Sequence, residues 1–243
     1  MLEVLRRNSI PLIVATALFM ATLDATVLST SLPAIAHDLG LNPVHLKLAL
    51  TTYLLALAVF IPASGWAADR FGPKNVFRAA MAVFALGSIF CGLSSSLGSL
   101  VASRVLQGIG GAMMMPVGRL IVWRSVPKSE IIAAAAALTI PALLGPVLGP
   151  LLGGFLSTYF NWRWIFWINI PVAAAGILLV TRFIPDLGAA AREEFDLKGF
   201  LLIGPGLSMF LTGAMLLGLD LLSPDMVAAL LLAGAALMAA YVW

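Results

Sequence analysis

Two ionisable residues, Asp24 and Arg104, each stand inside a run of apolar residues long enough to cross a bilayer. A charge at mid-bilayer costs at least about 2.5–3.5 kcal/mol on insertion scales, so such residues face a bundle interior, pair with one another and mark proton or ion pathways. Asp24 lies 7 residues before Ser31 on an outward run, and Arg104 lies 7 residues after Leu97 on an inward one. At 1.5 Å per residue, both sit roughly 10 Å below the same face. Opposite charges at one depth can meet across a shared cavity. Burial disfavours the charged carboxylate, and a nearby guanidinium favours it. A carboxyl balanced between those effects can exchange a proton when a cationic ligand or water arrives. The plainer alternative is a static ion pair that orients two helices. A buried pair is weak evidence for stability, so a proton carrier is the stronger reading. Gln107 stands one turn after Arg104, where it can face the same cavity or bridge two helices. Met113, Met114 and Met115 follow, and flexible thioethers suit promiscuous apolar surfaces as well as ordinary packing.

Two further strings carry backbone chemistry. Gly145, Gly149, Pro150, Gly153 and Gly154 place several glycines on one helix face, where a neighbouring helix can approach closely. Pro150 removes a backbone bond and predicts a bend. A packed bend of this kind can seal one conformation against leakage. The run from Gly65 to Lys74 (Gly-Trp-Ala-Ala-Asp-Arg-Phe-Gly-Pro-Lys) is a tight loop between two apolar runs. Gly72 permits a turn, and Asp69 can bond backbone donors or pair with a nearby cation such as Arg119 or Arg124. Arg70 and Lys74 add positive charge to the loop.

The elements that must position these residues are long apolar helices. The chain has 243 residues, 61% hydrophobic and 10% charged, with 14 Lys+Arg, 11 Asp+Glu and a net charge of +3. Soluble chains are about 25% charged, so lipid is the matching solvent. Soluble enzymes, nucleic-acid binders and disordered tails are disfavoured. The single cysteine, Cys91, excludes a disulfide framework or a Cys-rich metal site within one chain. Eight spans are predicted, over 10–31, 46–68, 76–96, 97–122, 131–157, 162–184, 199–221 and 226–243. They are continuous apolar runs, unlike the alternating strands of a barrel. Short links predict antiparallel neighbours. The charged link 185–198 holds Arg192, Glu193, Glu194 and Asp196, with Asp196 as helix cap, and divides a six-helix bundle (1–184) from two further spans (199–243). Of the 14 basic residues, 11 fall on the N-terminal side of the alternating topology, 2 (Lys47 and Arg163) on the other, and Arg104 lies inside a span. That asymmetry predicts a cytoplasmic N-terminus. The first span is too long and too charged for a cleaved signal peptide. The chain stops at Trp243 within an apolar run, so a continuation beyond it is expected.

These strings together resemble the N-terminal part of a major facilitator superfamily transporter, most closely the fourteen-span drug:proton antiporter branch. Gly65 to Lys74 resembles the loop motif G-x-L-A-D-R-x-G-R-K, with Ala67 in place of Leu and Pro73 in place of a basic residue. Leu23-Asp24-Ala25-Thr26, continuing to Leu32-Pro33, resembles the first-helix motif, with Ser29 where Asn is common. Arg104 to Ala112 resembles the fourth-helix motif R-x-x-Q-G-x-G-A-A, and Gly145 to Gly154 the antiporter motif of helix five. Phe195 to Gly199 resembles the entry to the branch's extra seventh span. The resemblance implies an all-α membrane fold built from inverted three-helix repeats, in which helices one and four are equivalent. It further implies that Asp24 takes the coupling proton and Arg104 tunes it. Thr26, Gln107, Met113 and Met114 would face the cavity or substrate. The loop motif would control switching, and the fifth-helix glycines would limit leakage.

The implied activity is efflux of amphipathic or cationic drug-like compounds across the cytoplasmic membrane. Protons supply the energy, with no cofactor, metal or nucleic acid. The partners are membrane lipid, the small-molecule substrate and a C-terminal transporter half that this chain lacks. Three other readings are weighed against it: an inactive or regulatory membrane piece, a superfamily carrier for a non-drug metabolite, and an intramembrane enzyme. Ser64 would be the nucleophile of that enzyme, but the histidines, His37 and His45, fall near the opposite membrane face.

Overall fold

A computed structural model describes the chain over residues 2–189, 194–217 and 222–242, with side chains from residue 9 to 241 within those ranges. The side chains of Arg6 and Arg7, together with Arg192, Glu193 and Trp243, lie outside the described residues. The described residues form helices and no strand. These are α1 (Leu2–Leu39), α2 (Pro43–Phe71), α3 (Pro73–Leu93), α4 (Leu97–Ser125), α5 (Ile131–Tyr159), α6 (Trp164–Trp167), α7 (Asn169–Phe183), α8 (Leu197–Leu216) and α9 (Pro224–Val242). Among them, α6 and α7 meet at Ile168 and together make the sixth of eight candidate spans.

Local chemistry sets the boundaries. Asn42 Oδ1 accepts from the Val44 amide at 2.9 Å, and Pro43 at the first position starts α2. Gly72, at φ +82°, makes the turn into α3, which also opens on proline. Ser96 and Ser99 form a reciprocal capping box on α4. Asp196 Oδ1 caps α8 by accepting from the Gly199 amide at 2.9 Å. The largest departure from the expected boundaries is at α1, which runs past Ser31 to Leu39. Ile35 and Ala36 are buried there, so packing carries the helix beyond the point where the apolar run weakens.

Paired positions fix the helix directions. Gly145, Gly149 and Gly153 of α5 lie against Thr22, Thr26 and Thr30 of α1 in ascending order, so these helices are parallel. The α2–α4 pair is also parallel: Ala49 meets Arg104, Ala56 meets Gly108, and Asp69 meets Arg124. In contrast, α3 runs antiparallel to the sixth span, with Ser88 against Phe166 and Lys74 against Ile184. The chain therefore alternates up and down. Exchanging spans one, two and three with four, five and six carries the α1–α5 contact onto α4–α2 and the α1–α7 contact onto α4–α3. The contacts α1–α4 and α3–α7 map onto themselves, as inverted repeats require. Beyond the six spans, α8 and α9 pack on each other, and α8 lies along α2.

The buried apolar core is in two pieces. One includes Val14, Met20, Tyr53, Phe77, Phe84, Met114, Ala173 and Val180. The other includes Leu23, Leu28, Ile35, Cys91, Leu100, Ile165 and Phe166. On each of four spans a buried polar residue lies at or near the boundary between the two pieces: Asp24 on α1, Ser88 on α3, Arg104 and Gln107 on α4, and Asn169 on the sixth span. A single buried polar layer thus crosses the bundle.

The glycine-rich face of α5 explains its spacing. A Cβ on Gly145, Gly149 or Gly153 would collide with a threonine hydroxyl of α1, whereas one on Gly154 meets nothing within 4 Å. Thr26 Oγ1 donates to the Gly145 carbonyl at 3.3 Å, and Ser31 Oγ to the Gly153 carbonyl at 3.5 Å. Helix α5 continues through Pro150, which is exposed on its other side. Gly149→Ala is expected to destabilise the folded chain by about 1–3 kcal/mol through overpacking. Gly154→Ala should be neutral or mildly stabilising, since alanine is the better helix former. Thermal midpoints in detergent check the contrast; equal losses at both positions would contradict this register.

Candidate functional site

The polar layer converges on one carboxylate. Arg104 Nη1 donates to Asp24 Oδ2 at 2.5 Å. Gln107 Nε2 donates to Asp24 Oδ1 at 2.9 Å, and Asn169 Nδ2 to the same oxygen at 2.8 Å. Asp24 is 2% exposed and Arg104 fully buried. The pair therefore meets as its depth predicted, although Asp24 lies farther from the end of α1 than the estimate from Ser31 placed it.

The guanidinium is held from several sides. Arg104 Nη1 also donates to Gln107 Oε1 at 2.6 Å, and Nε to the Ala49 carbonyl at 3.4 Å. Its Cζ lies 4.1 Å from the centre of the Tyr53 ring, a cation–π contact in a dry setting. Among the described residues, Nη2 alone of its nitrogens has no hydrogen-bond partner. Gly87 makes the approach possible, because a Cβ there would lie 2.5 Å from the Gln107 backbone nitrogen.

The sequence does not single out Asn169, Ser88 or Tyr53, and it marks Cys91 only as the lone cysteine. Asn169 Nδ2 also donates to Ser88 Oγ at 3.0 Å, and Ser88 Oγ donates to the Phe166 carbonyl at 2.8 Å. Cys91 Sγ lies 3.6 Å from Gln107 Oε1. A lone asparagine inside the apolar run Trp-Ile-Asn-Ile-Pro was a readable signal, because an amide buried in lipid needs a partner. Serine gave none, since serines in spans commonly bond their own backbone.

The other predicted residues fall in three places. Thr26 turns to α5, away from the carboxylate. Met114 is buried in the core beside Tyr53 and Phe84, and Met113 is half-buried against that core. The loop-motif residues gather at one end of the bundle. There Arg124, and not Arg119, donates to Asp69 at 3.2 Å, joining α4 to α2. Lys74 Nζ donates to the carbonyls of Thr181 and Ile184 at 3.1 and 2.6 Å, a cation on the C-terminal end of α7. Arg70 is exposed. Gly65 and Asp69 also border a cavity of about 470 Å³, with Trp66, Phe195 and Asp196 on its walls.

At the opposite end, Arg163 Nη1 donates to Asp38 Oδ2 at 2.7 Å, and Trp162 Nε1 to the same oxygen at 3.0 Å. Arg163 also reaches the Ser94 carbonyl just past α3 at 3.4 Å and stacks 4.3 Å over Trp162. Under the repeat exchange this clamp is the counterpart of the loop motif with its charges reversed. A basic link residue meets an acidic helix end and a carbonyl of the third span. Ser64 is buried and donates to the Ile61 carbonyl at 2.6 Å, remote from the exposed His37 and His45, so no nucleophile–base pair forms among them.

Residues 14–243 match the family model described as Major Facilitator Superfamily. The chain belongs to that superfamily. It is 47% identical over 234 residues to the "Putative multidrug resistance protein MdtD" of Serratia proteamaculans, which covers 95% of this chain and 48% of that protein. The protein of the same name from Salmonella paratyphi B is 46% identical over 232 residues, covering 94% and 48%. The chain thus spans about half the length of the curated relatives it matches. Among solved structures, the POT family transporter PepTSo superposes with a TM-score of 0.69 at 17% identity, covering 97% of this chain and 52% of that one. At that identity the likeness bears on the fold alone. The protein is an integral membrane protein of a transporter family, with eight candidate spans.

The Asp38 clamp yields a graded expectation. Asp38→Asn keeps an acceptor for the buried Trp162 and loses only the ion pair, worth about 0.2–1 kcal/mol where exposed. Asp38→Ala also orphans the indole N–H, adding about 1–3 kcal/mol. Thermal midpoints should therefore fall in the order wild type, Asn, Ala; coincident values for the two variants would remove the indole bond from the account.

Proposed function

We propose that this chain is the N-terminal portion of a proton-coupled antiporter that exports amphipathic or cationic compounds across the cytoplasmic membrane. The observation that carries the reading is the Asp24 carboxylate, buried with Arg104 and two amides in a membrane bundle. Replacing a buried ion pair by apolar residues is often neutral or stabilising, so the pair calls for a use other than stability. A carboxylate whose donors can be withdrawn is a proton site, and its charge is what a cationic substrate would compete for. The multidrug-resistance names of the relatives support the substrate class.

Alternating access rocks one six-helix half against another around a midplane site. The polar layer supplies this chain's share of such a site, and a second half is the required partner. The loop-motif contacts of Asp69 and Lys74 would hold the cytoplasmic end, and the α1–α5 seam would keep protons from leaking between spans. The excess of Lys and Arg on one side supports a cytoplasmic N-terminus.

Asp24→Asn, made in the gene product that carries this chain, should leave expression and folding in place. It should reduce proton-driven efflux of a cationic dye by at least about tenfold, because a charge-assisted hydrogen bond is worth about 1.5–3 kcal/mol. Efflux rates from cells or proteoliposomes under an imposed pH gradient measure this. Undiminished efflux would take Asp24 out of the coupling step.

A further inference from the structure

We infer that Asn169 is a positioning residue through which the sixth span reads the charge on Asp24, an inference that rests on the coupling role given above to that carboxylate. Three donors hold Asp24, and two of them, Arg104 and Gln107, ride on α4 one turn apart. They are fastened to each other at 2.6 Å and, through Arg104, to α2. Asn169 is the only donor to Asp24 that comes from another span among the described residues. It is the first residue of α7, next to Ile168, where α6 gives way to α7.

The proton balance follows from the geometry. Arg104 stays charged at any working pH. It occupies Oδ2, so an incoming proton goes to Oδ1, the oxygen that accepts from Gln107 and Asn169. Once protonated, Oδ1 carries a donor pointing toward two amide N–H groups, and at least one of them must withdraw. Both amides also donate to Ser88 Oγ, Gln107 at 3.3 Å and Asn169 at 3.0 Å, but Arg104 holds the Gln107 amide oxygen to its own helix. Asn169 has no such second hold among the described residues, and Ser88 in turn donates to the Phe166 carbonyl of α6. Protonation therefore releases the start of α7, and the change passes to α6 through Ser88. The ionisable side chains around the carboxylate are Tyr53 on α2, Cys91 on α3 and Arg104 on α4. Helix α5 and the sixth span place none at this level.

Two measurements on the purified chain in lipid test this without transport. The first is infrared titration of the carboxyl C=O band that Asp24→Asn removes. In Asn169→Leu, the pH at which this band appears should move up by about one unit, a tenfold change for one lost bond to a charged group. Asn169→Ser, too short to reach Asp24 yet still polar, should shift it the same way and serves if the leucine variant fails to fold. The second is maleimide labelling of Ile168→Cys in a Cys91→Ala background. Labelling should quicken severalfold as Asp24 takes its proton and become independent of pH when Asp24→Asn is added. A band that titrates but stays within about 0.2 unit of wild type in both Asn169 variants, or labelling indifferent to pH, overturns this inference and leaves the antiport reading standing. A chain with no Asp24-dependent band at any pH where it stays folded overturns both. Normal titration behaviour with absent efflux overturns only the antiport reading.

Discussion

The structure is organised around one buried negative charge. Asp24 sits in a medium where an unpaired carboxylate would cost several kcal/mol, and removing one partner of such a pair typically costs about 3–5 kcal/mol. The bundle meets that cost by bringing a guanidinium and two amides to the same carboxylate, from α4 and the sixth span. The requirement reaches into the packing. Gly87 must be small so that Gln107 can come close, Tyr53 must lie flat under Arg104, and the apolar core must part into two pieces to admit the polar layer. A network of this kind is rigid only while every member is satisfied. Withdrawing one donor therefore affects the others, which gives a proton at Asp24 a structural consequence.

Around this centre the inverted repeats arrange two peripheral fastenings. At one end, Asp69 and Lys74 tie α2 and α3 to α4 and α7. At the other, Arg163 ties the start of the sixth span to α1 and to the end of α3. The repeat operation relates the two but the residues do not, since the acidic and basic partners have changed places. An exposed ion pair tolerates such an exchange because it needs only complementarity and a helix end to sit on. The centre is less permissive: one carboxylate accepts from three donors, and no equivalent site repeats it among the described residues.

Much of this was legible in the amino-acid sequence because lipid imposes severe rules. Apolar runs of about 20 residues, short links and a one-sided distribution of Lys and Arg give the span count and their alternation. The meeting of Asp24 and Arg104 followed from charge and depth, and the capping by Asp196 from residue type. The α5 glycines were readable as a close-packing face, but their partners were not. That Thr22, Thr26 and Thr30 fill the groove depends on which face of α1 turns to α5, and an all-round apolar helix carries little rotational information. For the same reason Thr26 reads as a cavity residue in sequence and packs against α5 in the structure. The end of α1 was misplaced because helix length there is set by the burial of Ile35 and Ala36, a tertiary effect. Asn169 escaped attention because its importance lies in its partner, 145 residues away in the chain.

The sixth span is attached to α1 at two points. Its start is held by Arg163 to Asp38 on α1, and Asn169 is held to Asp24 on the same helix. Between these attachments lie α6, with its bulky Trp164, Phe166 and Trp167, and Ile168. A continuous stiff helix fastened to α1 at both points would have to move as one body with it. Ile168 keeps a helical backbone, at φ −60° and ψ −25°, and its amide donates to the Trp164 carbonyl at 3.1 Å, so the two segments are joined by helical geometry. The loop motif grips the end of the long segment α7, whereas the Asp38 clamp grips the short segment α6.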